Sequence, residues 1–190
     1  MDTYTALKFA HYLGFLTLTG GLIGVFIAEW RAHATHDVTV FTEAARYTVI
    51  FYDAVVVPGA LVIAASGVLL VLNLEIGFFS EAWLVGMWGL FVFEFVEGNT
   101  LTRLQFRRTL RRAPEATAAG ELTPEIRRIA RTPVGIIAHF LDLPLVAVMI
   151  YCGVARPESW VAVGLAILIA IVVAIGLAVT VPRLHRGRAA

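Results

Sequence analysis

Five stretches of this chain are each about as long as a bilayer is thick and almost wholly apolar. They cover about 6–29, 47–73, 82–102, 133–155 and 159–181. A helix that crosses the hydrocarbon core needs roughly 20 such residues in a row. The chain is 59% hydrophobic and only 15% charged, whereas a soluble domain carries about one quarter charged residues. The pattern predicts an all-α, polytopic transmembrane helical bundle: one integral membrane domain over 1–190 with five spans.

Prolines punctuate these spans. Pro133, Pro157 and Pro182 lie at or near span ends, where a missing N–H costs little. Pro58 and Pro144 fall inside spans two and four, where each is expected to kink its helix and free a carbonyl. Cys152 is the only cysteine, which rules out an intrachain disulfide or a cysteine-rich metal site.

Arginine placement sets the orientation. Of the 15 basic residues only Lys8 is a lysine. Arg31, Arg46, the cluster from Arg103 to Arg131, and the tail arginines Arg183, Arg186 and Arg188 fall in loops one and three and the C-terminal tail, all on one side of the five spans. The positive-inside rule then puts the N-terminus outside and the C-terminus in the cytoplasm. A cleavable signal peptide ending near Ala32 or Ala34 is the rival for span one. Its n-region would hold Asp2 and a single lysine, and its apolar run is too long, so a retained helix is expected.

The Arg-rich loop 103–132 is the only sizeable soluble segment. Arg103, Arg107 and Arg111 recur at helical spacing, so helix three is expected to run on past the membrane with a basic face. Thr123, Pro124 and Glu125 read as a new helix start. The loop suits anionic lipid headgroups, or a docking surface for a cytoplasmic partner. Nucleic acid is not an expected partner so close to the bilayer.

Ionisable residues inside the spans fall at one depth. On a rise of about 1.5 Å per residue, Asp53 lies roughly 10 Å in from the Arg-rich side, with Glu97 and Glu94 at roughly 9 and 14 Å. His139 and Asp142 lie at roughly 12 and 17 Å. Glu94 and Glu97 are three apart, as are His139 and Asp142, so each pair shares a helix face. Exposing them to lipid is costly, so they are expected to turn inward and meet. Three readings stay open: a hydrogen-bonded structural core, a proton or ion relay, and a metal site. EFVE and HFLD are not the paired Glu-x-x-His of di-iron carboxylate bundles.

His11, near the outer end of span one, stands roughly 20 Å in height from His139 on the same rise. A histidine there is an interfacial hydrogen-bonder or a ligand. Gly20 and Gly24 of LTGGLIG suit close helix packing in lipid. Span five carries no ionisable residue and could form a contact with a protein partner.

KFAHYLGFLTLTGGLIG resembles the opening helix of the small bacterial HemJ/CopD-like membrane proteins and their uncharacterised siblings. VVPGALVIAASGVLLVL, EAWLVGMWGLFVF and RRIARTPVGIIAHFLDLPLVAVMIYCGVARP are similar to their next three helices, and the likeness extends to about residue 157. It implies a bacterial inner-membrane protein, haem- or quinone-linked and redox-active, with His11 as the haem-linked histidine. The second functional position of the HemJ type, a lysine, falls here on Met87, and the resemblance thereby implies His11 and Met87 as outer ligands of a haem b. Without that lysine the chain is closer to the uncharacterised siblings. The alternatives are a proton- or ion-coupled transporter, or an accessory subunit, built on Asp53, Glu94, Glu97, His139 and Asp142, and a purely structural subunit.

Overall fold

The computed structural model describes residues 2–130 and 132–186, with the side chains of 133, 134, 139 and 181–186 outside the description. Among the described residues all regular structure is helical. Helix α1 (Thr3–Ala34) starts at Asp2, whose carboxylate accepts from the Thr5 N–H at 2.8 Å and from its hydroxyl at 2.9 Å. Only residues 35–37 separate it from α2 (Val38–Phe51). Asp37 turns the chain by accepting from the N–H groups of Thr39 and Val40, at 2.7 and 3.0 Å. The second helix therefore begins nine residues before the expected 47. An aspartate cap followed by Phe41, Ala44 and Ala45 on one buried face extends it outside the apolar run.

A single turn of π-helix, Tyr52–Val56, joins α2 to α3 (Val57–Asn73) without breaking the rod. Here the Val57 N–H donates to the Tyr52 carbonyl, five residues back. Pro58 supplies the cause: its ring crowds the carbonyl four residues earlier and it has no N–H to donate, and a widened turn accommodates both. A second π-turn, Gly98–Thr102, joins α4 (Ala82–Glu97) to α5 (Arg103–Ala119), with the Arg103 N–H donating to the Gly98 carbonyl. Helix α5 stops at Gly120, left-handed at φ 71°, a geometry open to glycine without a Cβ penalty. Short α6 (Pro124–Ala130) begins as its Thr-Pro-Glu start predicts, followed by α7 (Pro133–Ala155) and α8 (Trp160–Arg186).

Among the described residues four helices are long and apolar enough, by length and composition, to cross a membrane: Thr3–Ala34, Val38–Asn73, Gly135–Ala155 and Trp160–Thr180. The third expected span, 82–102, is not one of them. Glu94, Glu97 and the polar residues of the second π-turn interrupt its apolar run before it reaches full length. Helix α4 still packs inside the bundle, against α7 and α8. As expected, helix three continues directly into the Arg-rich segment as α5.

The seam between α1 and α3 brings two backbones very close. A Cβ at Gly59 would lie 2.6 Å from the Leu18 backbone nitrogen, and one at Gly14 would lie 2.9 Å from the nitrogen of Ile63. Gly21 meets Val56 in the same way. The expected pair is only half right. Gly24 abuts the Phe51 ring, but nothing lies within 4 Å of where a Gly20 Cβ would stand. Gly14 and Gly21, two turns apart, share the face that meets α3, and Gly20 is turned from it. Where α4 meets α7 and α8, Ala82, Leu90, Cys152 and Val163 form a second core. Helix α8 lies at the edge of the bundle, with Val161, Ile169 and Val172 exposed.

Candidate functional site

Between the two π-turns and α7 lies a cavity of about 50 Å³, enough for a few waters. Leu18, Leu22, Ala60 and Val146 make its apolar wall. Its polar side consists of Tyr52 from the first π-turn, Glu94 and Glu97 from α4, Asn99 and Thr102 from the second π-turn, and Asp142 from α7. Glu94 and Glu97 face it together because three residues bring an α-helix almost one full turn.

The contacts around the acids are specific. The Thr102 hydroxyl donates to Glu97 Oε1 at 2.7 Å. Glu94 and Asp142 reach the same cavity from different helices. The Tyr52 side chain is buried and packs edge-on against Phe106 at 5.8 Å between ring centroids. Its hydroxyl occupies the space a side chain at Gly98 would need, so the two π-turns touch where a glycine lets them.

Asp53 does not join these acids. It shares their height but points to another side of the rod, where its carboxylate accepts from Arg103 Nε at 2.7 Å and Arg107 Nη2 at 2.8 Å. Neighbouring residues on a helix diverge by about 100°, so with Tyr52 facing the cavity Asp53 cannot. The ion pairs tie the first π-turn to the start of α5, and they take two arginines out of the basic face expected for lipid headgroups. His139 lies on α7, and its side chain is outside the described residues. Arg131, the expected membrane entry of helix four, also lies outside them.

The two residues singled out as outer ligands face different seams. His11 Nδ1 lies 3.1 Å from Ser66 Oγ on α3. Met87 packs in the core between α4 and α7, its sulfur 3.8 Å from the position of a Cβ at Gly153. Neither lines the acidic cavity. Among the described residues no cluster of three or more His, Cys, Asp or Glu is arranged to hold a metal ion.

Sequence reasoning missed Tyr52, Asn99 and Thr102. Pro58 was the available signal for the first, since a proline five or six residues on marks where a helix widens. GNTLT, a polar and β-branched run inside a long helix, was the signal for the others.

A protein-family model described as "Predicted integral membrane protein (DUF2269)" matches residues 5–157. Neither the curated proteins nor the solved structures gave a match.

Proposed function

The chain belongs to the DUF2269 family and is an integral membrane protein, and we propose that its acidic cavity relays protons within the bilayer. One observation carries this reading: Glu94, Glu97 and Asp142 converge from two helices on a space fit for water, bounded by two π-turns. Three acids at this depth cost on the order of 8 kcal/mol even on the lenient insertion scale. Leucines would pack the same space without that cost. Carboxyl groups that line one water-filled space can pass a proton between them through that water, which suits Glu94 and Asp142 to hold one and hand it on. π-Turns are frequent at functional sites, because their looser hydrogen bonding lets nearby side chains re-aim.

In this reading the Arg-rich end faces the cytoplasm of a bacterial inner membrane, and the N-terminus lies outside. Exposed Arg108, Arg111 and Arg128 suit anionic headgroups there. Outward-facing α8 suits lipid or a protein partner. The test is proton flux in liposomes holding the purified protein, driven by a potassium diffusion potential. Asp142→Asn and Glu94→Gln should each lower the flux at least tenfold. Unchanged flux in both would reduce the cavity to structural packing.

The His11–Ser66 contact favours a second reading, a haem-linked redox protein of the HemJ/CopD-like kind. Ser66 donates its hydroxyl proton to the Val62 carbonyl at 2.6 Å, so it accepts from His11 Nδ1–H. The Nε2 lone pair is then directed away from that bond, as a hydrogen bond to the other ring nitrogen arranges for ligating histidines. A haem b held there would supply one-electron transfer. Met87, on another seam, does not complete the pair with His11. A Soret band that shifts on reduction would support this reading. A colourless preparation that gains no band on haem addition would end it.

A further inference from the structure

We propose that Asp53 serves the acidic cavity from outside it, by holding the Arg103 guanidinium away from Glu94, Glu97 and Asp142. Those acids thereby stay free to take up and release protons. This inference rests on the relay reading above and gives a positioning task to the acid that the structure sets apart.

Arg103 begins where the second π-turn ends, and its neighbour Thr102 donates to Glu97 Oε1 at 2.7 Å. One arm of its guanidinium, Nη1, donates to Oδ1 of Asn99 at 3.4 Å, and Asn99 is part of the cavity wall. Its Nε donates to Asp53 Oδ1 at 2.7 Å. The cation therefore stands at the edge of the cavity, and the shorter of these two bonds draws it outward. Among the described residues no cation is paired with Glu94, Glu97 or Asp142.

That separation needs a cause. Opposite charges attract strongly where water is scarce, and guanidinium grips carboxylates through paired hydrogen bonds. A carboxylate so held keeps its charge and takes up a proton poorly. Without restraint, Arg103 would turn to the cavity and fix one of its acids in the ionised form. Asp53 prevents this by offering a nearer carboxylate. Its second oxygen accepts from Arg107 Nη2 at 2.8 Å, which fixes the carboxylate in place. Asn99 is fixed in turn, since its Nδ2 donates to the Phe95 carbonyl at 2.9 Å and so aims its oxygen at Arg103.

The experiment uses the full chain in liposomes with an internal pH dye and a potassium diffusion potential. Asp53→Asn should lower proton flux at least tenfold. The double variant Asp53→Asn/Arg103→Gln should recover flux to within about threefold of wild type, because the cation that Asp53 restrains is gone. Infrared spectra of the purified protein at neutral pH supply a second readout. The C=O stretch of protonated carboxyl groups should weaken in Asp53→Asn and return in the double variant, which loss of packing alone does not produce. If Asp53→Asn does not elute as a folded species, Arg103→Gln decides: flux within about threefold supports this role, and a tenfold loss overturns it. Flux as low in the double variant as in Asp53→Asn would also overturn it, since Asp53 would then be needed for itself. Wild-type flux in Asp53→Asn, with Asp142→Asn inactive, would overturn it and leave the relay standing. No flux in the wild-type protein would overturn both.

Discussion

The α1–α3 seam and the α4–α7 seam belong to one bundle and solve opposite problems. In the first, glycines bring backbones so close that a single added methyl at Gly59 would strike the Leu18 nitrogen. In the second, two π-turns hold a water-sized space open, and carboxyl groups from both helices line it. Lipid supplies no hydrophobic force to press helices together, so the bundle must gain its cohesion from close packing somewhere. The glycine seam provides that cohesion, which leaves the acidic seam free to keep its space.

The strongest way to break this contrast is to fill the tight seam. Gly59→Val should destabilise the bundle by about 3 kcal/mol, the upper range for overpacking, read from unfolding in mixed detergent micelles. Gly20→Ala, whose added methyl meets nothing within 4 Å, should change stability by less than about 1 kcal/mol. Equal losses in the two would abolish the distinction between the seams.

At the acidic seam the contact between the π-turns is the sensitive point. Gly98→Ala should cost about 2 kcal/mol because its methyl meets the Tyr52 hydroxyl. In a Tyr52→Phe background that loss should shrink by about 1 kcal/mol or more, a coupling that a double-mutant cycle isolates. A purely additive pair would mean that the π-turns do not bear on each other.

The outer clamp should matter less. Asp53→Asn removes charge from pairs whose side chains keep 27–45% of their exposure, so about 1 kcal/mol is expected. That loss should shrink further in high salt. A loss above about 3 kcal/mol would show Asp53 to be a buried partner of the cavity after all.

The smallest effect lies away from both seams. The Thr5 backbone N–H and hydroxyl hold the Asp2 carboxyl below the ordinary carboxylate value. Its capping contribution is therefore fully present above the unfolded carboxylate pKa and is lost as pH falls through the lower folded value. Amide exchange of the first turn should quicken over that acid range, and Asp2→Ala should remove the response without altering either seam.

Much of this architecture was readable in the sequence. Long apolar runs fix helices in lipid, a rise of about 1.5 Å per residue gives Glu94, Glu97 and Asp142 similar heights, and all three line the cavity. Direction around the helix axis was harder to read. Tyr52 and Asp53 are adjacent, yet one faces the cavity and the other a pair of arginines, and height alone does not tell them apart. The π-turns compound this by adding a residue to a turn and rotating all that follows. The acids that give α4 its interest also lower its hydropathy, so its run is the least apolar of the five expected spans. The His11–Ser66 bond joins residues 55 apart in the chain, and no local pattern announces it.

Helix α4 passes through the second π-turn into α5 without a loop, and that continuity has a mechanical consequence. A straight rod transmits thrust and torque along its length until it reaches its most compliant joint. Here that joint is Gly98–Thr102, and Thr102 holds Glu97 at 2.7 Å. Any load applied to the arginine-bearing shaft is therefore delivered first to the grip on one acid.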